Sequence, residues 1–218
     1  MTWRARLWAA LYPEGVTCLG CGAASHGEDL CPACAADMRG QRLLDPMADG
    51  TRSVWRHAGA PRKLVLRLKH GGVTRAAELL AEGLVEAARE MALPPDIVVT
   101  WVPMPDLRRR LRGIDHGREL AQRLAAALGM PCRQLMLRRK GLRHTQEGLG
   151  RVRRQENLWG AFVSLPLEGE SVLLVDDVHT TGATAYMCTR ALKEAGAGEI
   201  YVLTATAVPD AKKRGDHP

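Results

Sequence analysis

Residues 172–184 read Val-Leu-Leu-Val-Asp-Asp-Val-His-Thr-Thr-Gly-Ala-Thr, an aliphatic run that ends in two adjacent carboxylates and a short hydroxyl-rich loop. Val172–Val175 has no polar alternation, which predicts a strand covered on both faces, as in a parallel sheet. Asp176 and Asp177 then fall at its carboxyl end, the edge where open α/β sheets take their ligands. The periodic segment Ala185–Ala195 predicts a helix, and Val178, His179, Thr180, Thr181, Gly182, Ala183 and Thr184 lead into its first turn. Backbone N–H groups in that turn have no partner within the helix, so with the Thr hydroxyls they form a cradle for an anion. Gly182 lets the backbone approach a phosphate closely. Two carboxylates beside such a cradle suit the 2- and 3-hydroxyls of a ribose, which makes Asp176 and Asp177 the candidate catalytic pair. The alternative is a buried strand whose Asp pair caps the following helix.

The same segment resembles the signature of the type I phosphoribosyltransferases, enzymes that bind 5-phosphoribosyl 1-diphosphate (PRPP). The resemblance implies an α/β fold with a parallel-sheet core and flanking helices. At 218 residues with 46% apolar content, the chain is long enough for one such domain plus a small appendage. It has five Trp and one Phe, too few aromatics for extensive base stacking. No apolar run reaches the roughly 18 residues of a membrane span, and Met1–Tyr12 has no apolar core or cleavage site of a secretion signal. Trp3, Leu7, Trp8 and Leu11 share one face of a possible short helix, read as core packing. The expected compartment is the cytoplasm, including the inner face of the membrane.

Four of the six cysteines are paired as Cys18-Leu-Gly-Cys21 and Cys31-Pro-Ala-Cys34. Two such turns present four thiolates, the tetrahedral sulfur set of a structural Zn²⁺ site. Disulfides are the rival reading, disfavoured in a reducing compartment. His26 lies between the pairs and could replace a thiolate, while Cys132 and Cys188 read as packing residues.

The organisation expected is a zinc module over 1–45, a phosphoribosyltransferase-like domain over 46–208 and a polar tail over 209–218. Strands are predicted at 54–59, 96–102, 134–137, 161–165, 172–175 and 200–207, and helices at 63–68, 76–91, 116–128 and 185–195. After the strand at 96–102 comes Val102-Pro103-Met104-Pro105-Asp106-Leu107-Arg108-Arg109-Arg110-Leu111-Arg112-Gly113. Clustered guanidinium groups at a strand end can neutralise a diphosphate with bidentate contacts, so Pro103, Met104, Pro105, Arg110 and Arg112 join the ligand-binding set. A plain Pro-rich turn before a basic helix is the alternative.

The charge is unevenly spread. Residues 105–155 hold 14 Arg plus Lys against 4 Asp plus Glu, a local net of +10 in a chain of net +7, which leaves −3 elsewhere. Arg108, Arg109, Arg138, Arg139, Lys140, Arg143, Arg151, Arg153 and Arg154 are the candidate nucleic-acid contacts. The alternative is a solvated charged face.

Taken together, the motifs resemble the ComF family of competence proteins over nearly the whole chain, from Cys18 to Val208. The matching landmarks are the two CxxC pairs, Leu68-Lys69-His70-Gly71-Gly72, Val-Pro-Met-Pro at 102–105 followed by Arg112-Gly113, Thr145-Gln146, Leu149, Arg154 with Asn157, Ala161-Phe162 and the Asp176-Asp177 loop. Where the family commonly has Arg-Gly-Phe-Asn-Gln, this chain has Arg112-Gly113-Ile114-Asp115-His116, so no role carries over to those amide positions. The resemblance implies a phosphoribosyltransferase fold with a zinc module and a part in bringing single-stranded DNA inward during natural transformation, with a helicase or channel protein as partner. Two alternatives stand beside it: an active transferase moving ribose 5-phosphate from PRPP, with Mg²⁺, to a nucleobase or amine, and a PRPP- or nucleotide-sensing regulator.

Overall fold

A computed structural model of the chain describes residues 17–25, 27–71, 74–138 and 160–208. Helix α1 spans Pro32–Gly40, strand β1 Arg52–Arg56, α2 Gly59–Gly71 and α3 Thr74–Glu90. Strand β2 (Val98–Trp101), α4 (Asp106–Arg112) and α5 (His116–Leu128) follow. The order closes with β3 (Met136–Arg138), β4 (Phe162–Ser164), β5 (Val172–His179), α6 (Ala183–Glu194) and β6 (Ile200–Ala207).

Four strands form one parallel sheet in the order β1-β6-β5-β2, so their carboxyl ends share a single edge. Past β2 the sheet gains one parallel bridge: Val99 N–H donates to Pro131 O at 2.8 Å and Arg133 N–H to Val99 O at 3.0 Å. The predicted strands near 134–137 and 161–165 form, but they pair only with each other, antiparallel and outside the main sheet.

Each face of the sheet carries its own apolar cluster. Leu173 and Val175 of β5 pack with α2, α3 and α5, whereas Val172 and Leu174 pack with α6 and the β3–β4 pair. In α3 the spacing of Ala77, Leu80, Ala81, Leu84 and Ala88 puts all five on the buried face. Burial of Leu80 and Leu84, both fully covered, contributes roughly 1.5–3 kcal/mol each. Gly83 is needed beneath Trp55, because a Cβ there would lie 2.1 Å from the indole ring. Helix α5 starts at Asp115, whose carboxylate accepts from Arg118 N–H at 3.3 Å, and stops at Gly129 with φ 67°.

Several limits differ from expectation: β1 ends at Arg56 and not at 59, because Gly59, at φ 50°, turns the chain into α2, which runs over Gly59–Gly71 and not 63–68. Strand β5 continues four residues past Val175, with Asp176, Val178 and His179 in register with Thr204, Thr206 and Ala207 of β6. Helices α1 and α4 were absent from the predicted elements; Pro32 at the first position of α1 is the signal that points to it. The amino-terminal segment also shares the larger cluster, since Cys18, Leu19, Cys34 and Met38 are buried with Leu64 and Leu68.

Candidate functional site

Alternation along β5 sends its two carboxylates to opposite sides of the sheet. Asp177 follows Leu173 and Val175 toward α2 and α5. Its Oδ2 lies 3.0 Å from Lys69 Nζ and 3.7 Å from His116 Nδ1. Behind it, Thr206 Oγ1 donates to Asp177 O at 3.2 Å and bonds His57 Nδ1 at 2.8 Å, which assigns the proton of that second bond to the imidazole. His116 is 1% exposed, and burial holds its pKa down to about 4; Asp177 pulls upward, while Arg112 and Lys69 reinforce the lowering. The ring is therefore neutral near pH 7, and its Nε2 is buried without a hydrogen-bond partner among the described residues.

Asp176 turns to the other face. Burial and then the charge of Asp177 push its pKa up to about 8, against the stabilising N–H of Asp177 at 2.8 Å and the charge of Lys69. It is largely protonated at neutral pH. A small cleft opens beside it, lined by Val102, Val178, Thr180, Gly182 and Thr184 among others.

The loop that follows is shaped by Gly182, which adopts φ 74° and caps α6 with no side-chain bond to the first helical N–H groups. Backbone N–H groups in a first helical turn have no partner within the helix. His179, buried at the end of β5, bonds Asp49 Oδ2 through Nε2 at 2.7 Å. The same carboxylate oxygen sits 2.6 Å from where a Cβ on Gly182 would be.

The 102–105 turn lies alongside, held by Val102 N–H to Val175 O at 3.1 Å. Pro103 is buried and Met104 and Pro105 are half-buried. Arg110 is exposed, and Arg112, half-buried, is near enough to help depress both His116 and His70. Arg109 pairs with Asp106 at 2.9 Å on the same exposed helix. Arg138 lies over the Phe162 ring at 5.2 Å. The Arg108 side chain and all of Arg139, Lys140, Arg143, Arg151, Arg153 and Arg154 lie outside the described residues, as do His26, Thr145, Gln146, Leu149, Asn157, the amino-terminal Trp and Leu face and the 209–218 tail. The structure thus brings Asp176–Thr184 and the 102–105 turn to one sheet edge. Sequence reasoning gave no role to Lys69 or His116, although both stand in quoted motifs, and it missed Asp49 and His57.

At the amino terminus, one sulfur each from Cys18, Cys21, Cys31 and Cys34 lie within 4.8 Å of one another. Cys21 Sγ and Cys31 Sγ are 3.7 Å apart, close to the ~3.8 Å edge of a tetrahedron with metal–sulfur bonds of about 2.3 Å. Burial opposes a thiolate at Cys18, but N–H groups of Cys31, Cys21 and Gly20 outweigh it and bring the pKa to about 6. Burial and its sulfur neighbours raise Cys34. Gly20 has no room for a side chain, since a Cβ would meet Cys34 Sγ at 2.6 Å. Four sulfurs converge on one point, and the set is compatible with a metal ion. Of the other two thiols, Cys188 is buried in the smaller cluster and Cys132 is half-buried beside the larger.

The parallel sheet with helices on both faces, the carboxylate pair at its carboxyl edge and the glycine-turned loop make an α/β fold of the class the sequence predicts, here with an amino-terminal four-cysteine cluster. The chain is similar to curated competence and DNA utilization proteins. It is 35% identical over 128 residues to the DNA utilization protein YhgH of Salmonella typhi, a match covering 58% of this chain and 56% of that protein. Competence protein F of Haemophilus influenzae is 33% identical over 130 residues, 58% of this chain and 57% of its own. These two matches span little more than half of each relative. YhgH of Escherichia coli K12 is 27% identical over 215 residues, covering 93% of this chain and 94% of the relative. No family model matches the chain. Among solved structures, the chain is similar to glutamine PRPP amidotransferase from B. subtilis (TM-score 0.43, 24% identity, 62% of this chain and 27% of that one). It is also similar to orotate phosphoribosyltransferase from Aeropyrum pernix (TM-score 0.40, 19% identity, 80% and 92%). Among the described residues no helix is long and apolar enough to cross a membrane.

Proposed function

We propose that this chain binds PRPP or a related ribose phosphate at the β5–α6 loop and serves the uptake or use of single-stranded DNA. The observation that carries the ligand reading is the uncapped first turn of α6 behind Gly182, set directly after two carboxylates at the sheet edge. The 5-phosphate would accept N–H groups of Gly182, Ala183 and Thr184, with the Thr180 and Thr181 hydroxyls beside it. Asp176, on the cleft beside the loop, would hold the ribose hydroxyls, with Asp177 behind it fixed by Lys69, and Pro103–Pro105 with Arg110 and Arg112 would hold the diphosphate. Mg²⁺ bound with the diphosphate would supply charge neutralisation there. The four cysteines would hold Zn²⁺ as a structural ion, adding folding energy to a segment with little core of its own.

The DNA part of the reading is supported by the names of the relatives and by the basic stretch 105–155. Titration of PRPP–Mg²⁺ into the full chain by calorimetry tests the ligand; no heat at millimolar PRPP would end that reading. Single-strand binding measured across a salt series tests the nucleic acid, because each neutralised phosphate steepens log K against log salt by about 0.7. A flat salt dependence would remove a DNA role for the basic residues.

One observation favours a second reading, transfer of ribose 5-phosphate to a nucleobase or amine. A carboxyl raised to about 8, as at Asp176, is poised to exchange a proton near neutral pH. Diphosphate release across an acceptor panel separates a transferase from a binding protein.

A further inference from the structure

We infer that Asp49, in the linker between α1 and β1, is a positioning residue for the ribose-phosphate loop, holding Thr180–Gly182 in register by bonding His179 and packing behind Gly182. The inference rests on the ligand reading above. The two oxygens of this carboxylate have different tasks. Oδ1 accepts Thr51 N–H at 3.0 Å and so belongs to the linker. Oδ2 reaches across the fold to His179 Nε2 at 2.7 Å.

The linker is itself fixed. Met47 N–H donates to Thr51 O at 2.7 Å, Gly50 N–H donates to Met47 O at 2.9 Å, and Gly50 takes φ 82° to close the turn. Its flanks are tied to β1 by Leu43 N–H to Val54 O at 2.9 Å and by Arg52 Nη1 to Leu44 O at 2.6 Å. The carboxylate is therefore presented to the loop in a set direction.

On the receiving side, His179 is the last residue of β5, with its side chain 6% exposed. Its backbone O accepts Val208 N–H at 2.9 Å, so both main chain and side chain are anchored. Because the carboxylate oxygen accepts, Nε2 carries the proton of this bond. The phosphate loop starts at the next residue. Three residues on, Gly182 turns at φ 74° with Asp49 Oδ2 filling the space a side chain would need. No hydrogen bond joins Asp49 to the first N–H groups of α6, so it braces the back of the loop and leaves the anion cradle open. The linker also continues from α1, the helix that carries Cys34, and thereby joins the four-cysteine segment to the ligand loop.

The experiment compares the full chain with Asp49→Ala and Asp49→Asn by hydrogen exchange of peptides spanning 176–186, with PRPP–Mg²⁺ affinity read on the same proteins. Asp49→Ala is expected to speed exchange in this segment while peptides from α3 and α5 stay protected. It should weaken PRPP about tenfold, the equivalent of one charge-assisted hydrogen bond. Asp49→Asn keeps the acceptor for Thr51 N–H but turns an NH2 group toward His179 Nε2–H, so it is expected to preserve the linker turn and still speed exchange and weaken affinity at the loop. Unchanged exchange and affinity in Asp49→Ala would overturn the inference, as would equal loss of protection throughout the fold. If the unaltered chain binds no PRPP, the ligand reading fails, and exchange alone then decides whether Asp49 holds the loop. Should Asp49→Ala not fold, the same peptides in Asp49→Asn decide: faster exchange confined to 176–186 supports the brace, and protection like that of the unaltered chain, or exchange uniformly raised across the fold, overturns it.

Discussion

Asp176 and Asp177 are adjacent in the chain, yet the two faces of the sheet treat them in opposite ways. Asp177 meets a cation, Lys69, among polar groups drawn from α2, α5, the turn between β1 and α2, and β6. Asp176 meets the apolar side, where burial and its own neighbour keep a proton on it. One carboxylate is thus fixed by a cation, and the other is poised to change charge. The difference teaches that a repeated residue in a motif need not repeat a role, because pleating alone puts the pair into different dielectric surroundings.

The largest effect should come from the braced side. Gly182→Ala would force a left-handed backbone on a residue with a Cβ and drive that carbon to within 2.6 Å of Asp49 Oδ2. Thermal denaturation is expected to report roughly 2–4 kcal/mol of lost stability. A variant as stable as the parent would mean that the loop is free to move and that this side is not braced.

Removing the charged partner comes next. Asp177→Ala leaves the Lys69 ammonium, only 21% exposed, without its carboxylate. Denaturant unfolding should register a loss of roughly 1–3 kcal/mol, and PRPP binding should fall below detection. Asp177→Asn should recover part of the stability and none of the charge.

Asp176 should behave in the reverse sense. Its folded pKa, about 8, lies above the ordinary 3.8. The stability it contributes is complete below about pH 4 and is lost progressively as pH rises toward 8. Asp176→Asn is therefore expected to flatten this decline, with a gain of roughly 1–2 kcal/mol at pH 8–9 and little change at pH 4. A decline as steep in the variant as in the parent would place the titration elsewhere.

The smallest change sharpens the comparison from the acid side. His116 has a folded pKa of about 4 against 6.5, so its contribution is full above pH 6.5 and is lost as pH falls toward 4. His116→Gln should remove that acid limb and leave stability at pH 7–8 within about 1 kcal/mol. Urea midpoints measured between pH 4 and 8 would reveal it.

Much of the fold was legible because its signals are local. The helix at 116–128 and the strand at 200–207 are set by periodicity and by stop signals such as Gly129, and their observed limits agree closely, while the aliphatic run at 172–175 marks only the first half of β5. The cysteine set was likewise legible, because ligand spacing is a property of the chain. The isolation of the β3–β4 pair was not, since nothing in a three-residue apolar run says which partner it will take. The basic stretch was legible as charge but not as a surface, because most of its members fall outside the described residues.

Chain order alone fixed the carboxylate pair, the Gly182 turn and the four thiols, because each depends on neighbours a few residues apart. Tertiary packing decided which face each carboxylate would see, the pairing of Lys69 with Asp177 across 108 positions and the reach of Asp49 to His179 across 130. Contacts of that kind arise only when a sheet brings its carboxyl ends to one edge, and no spacing in the chain announces them.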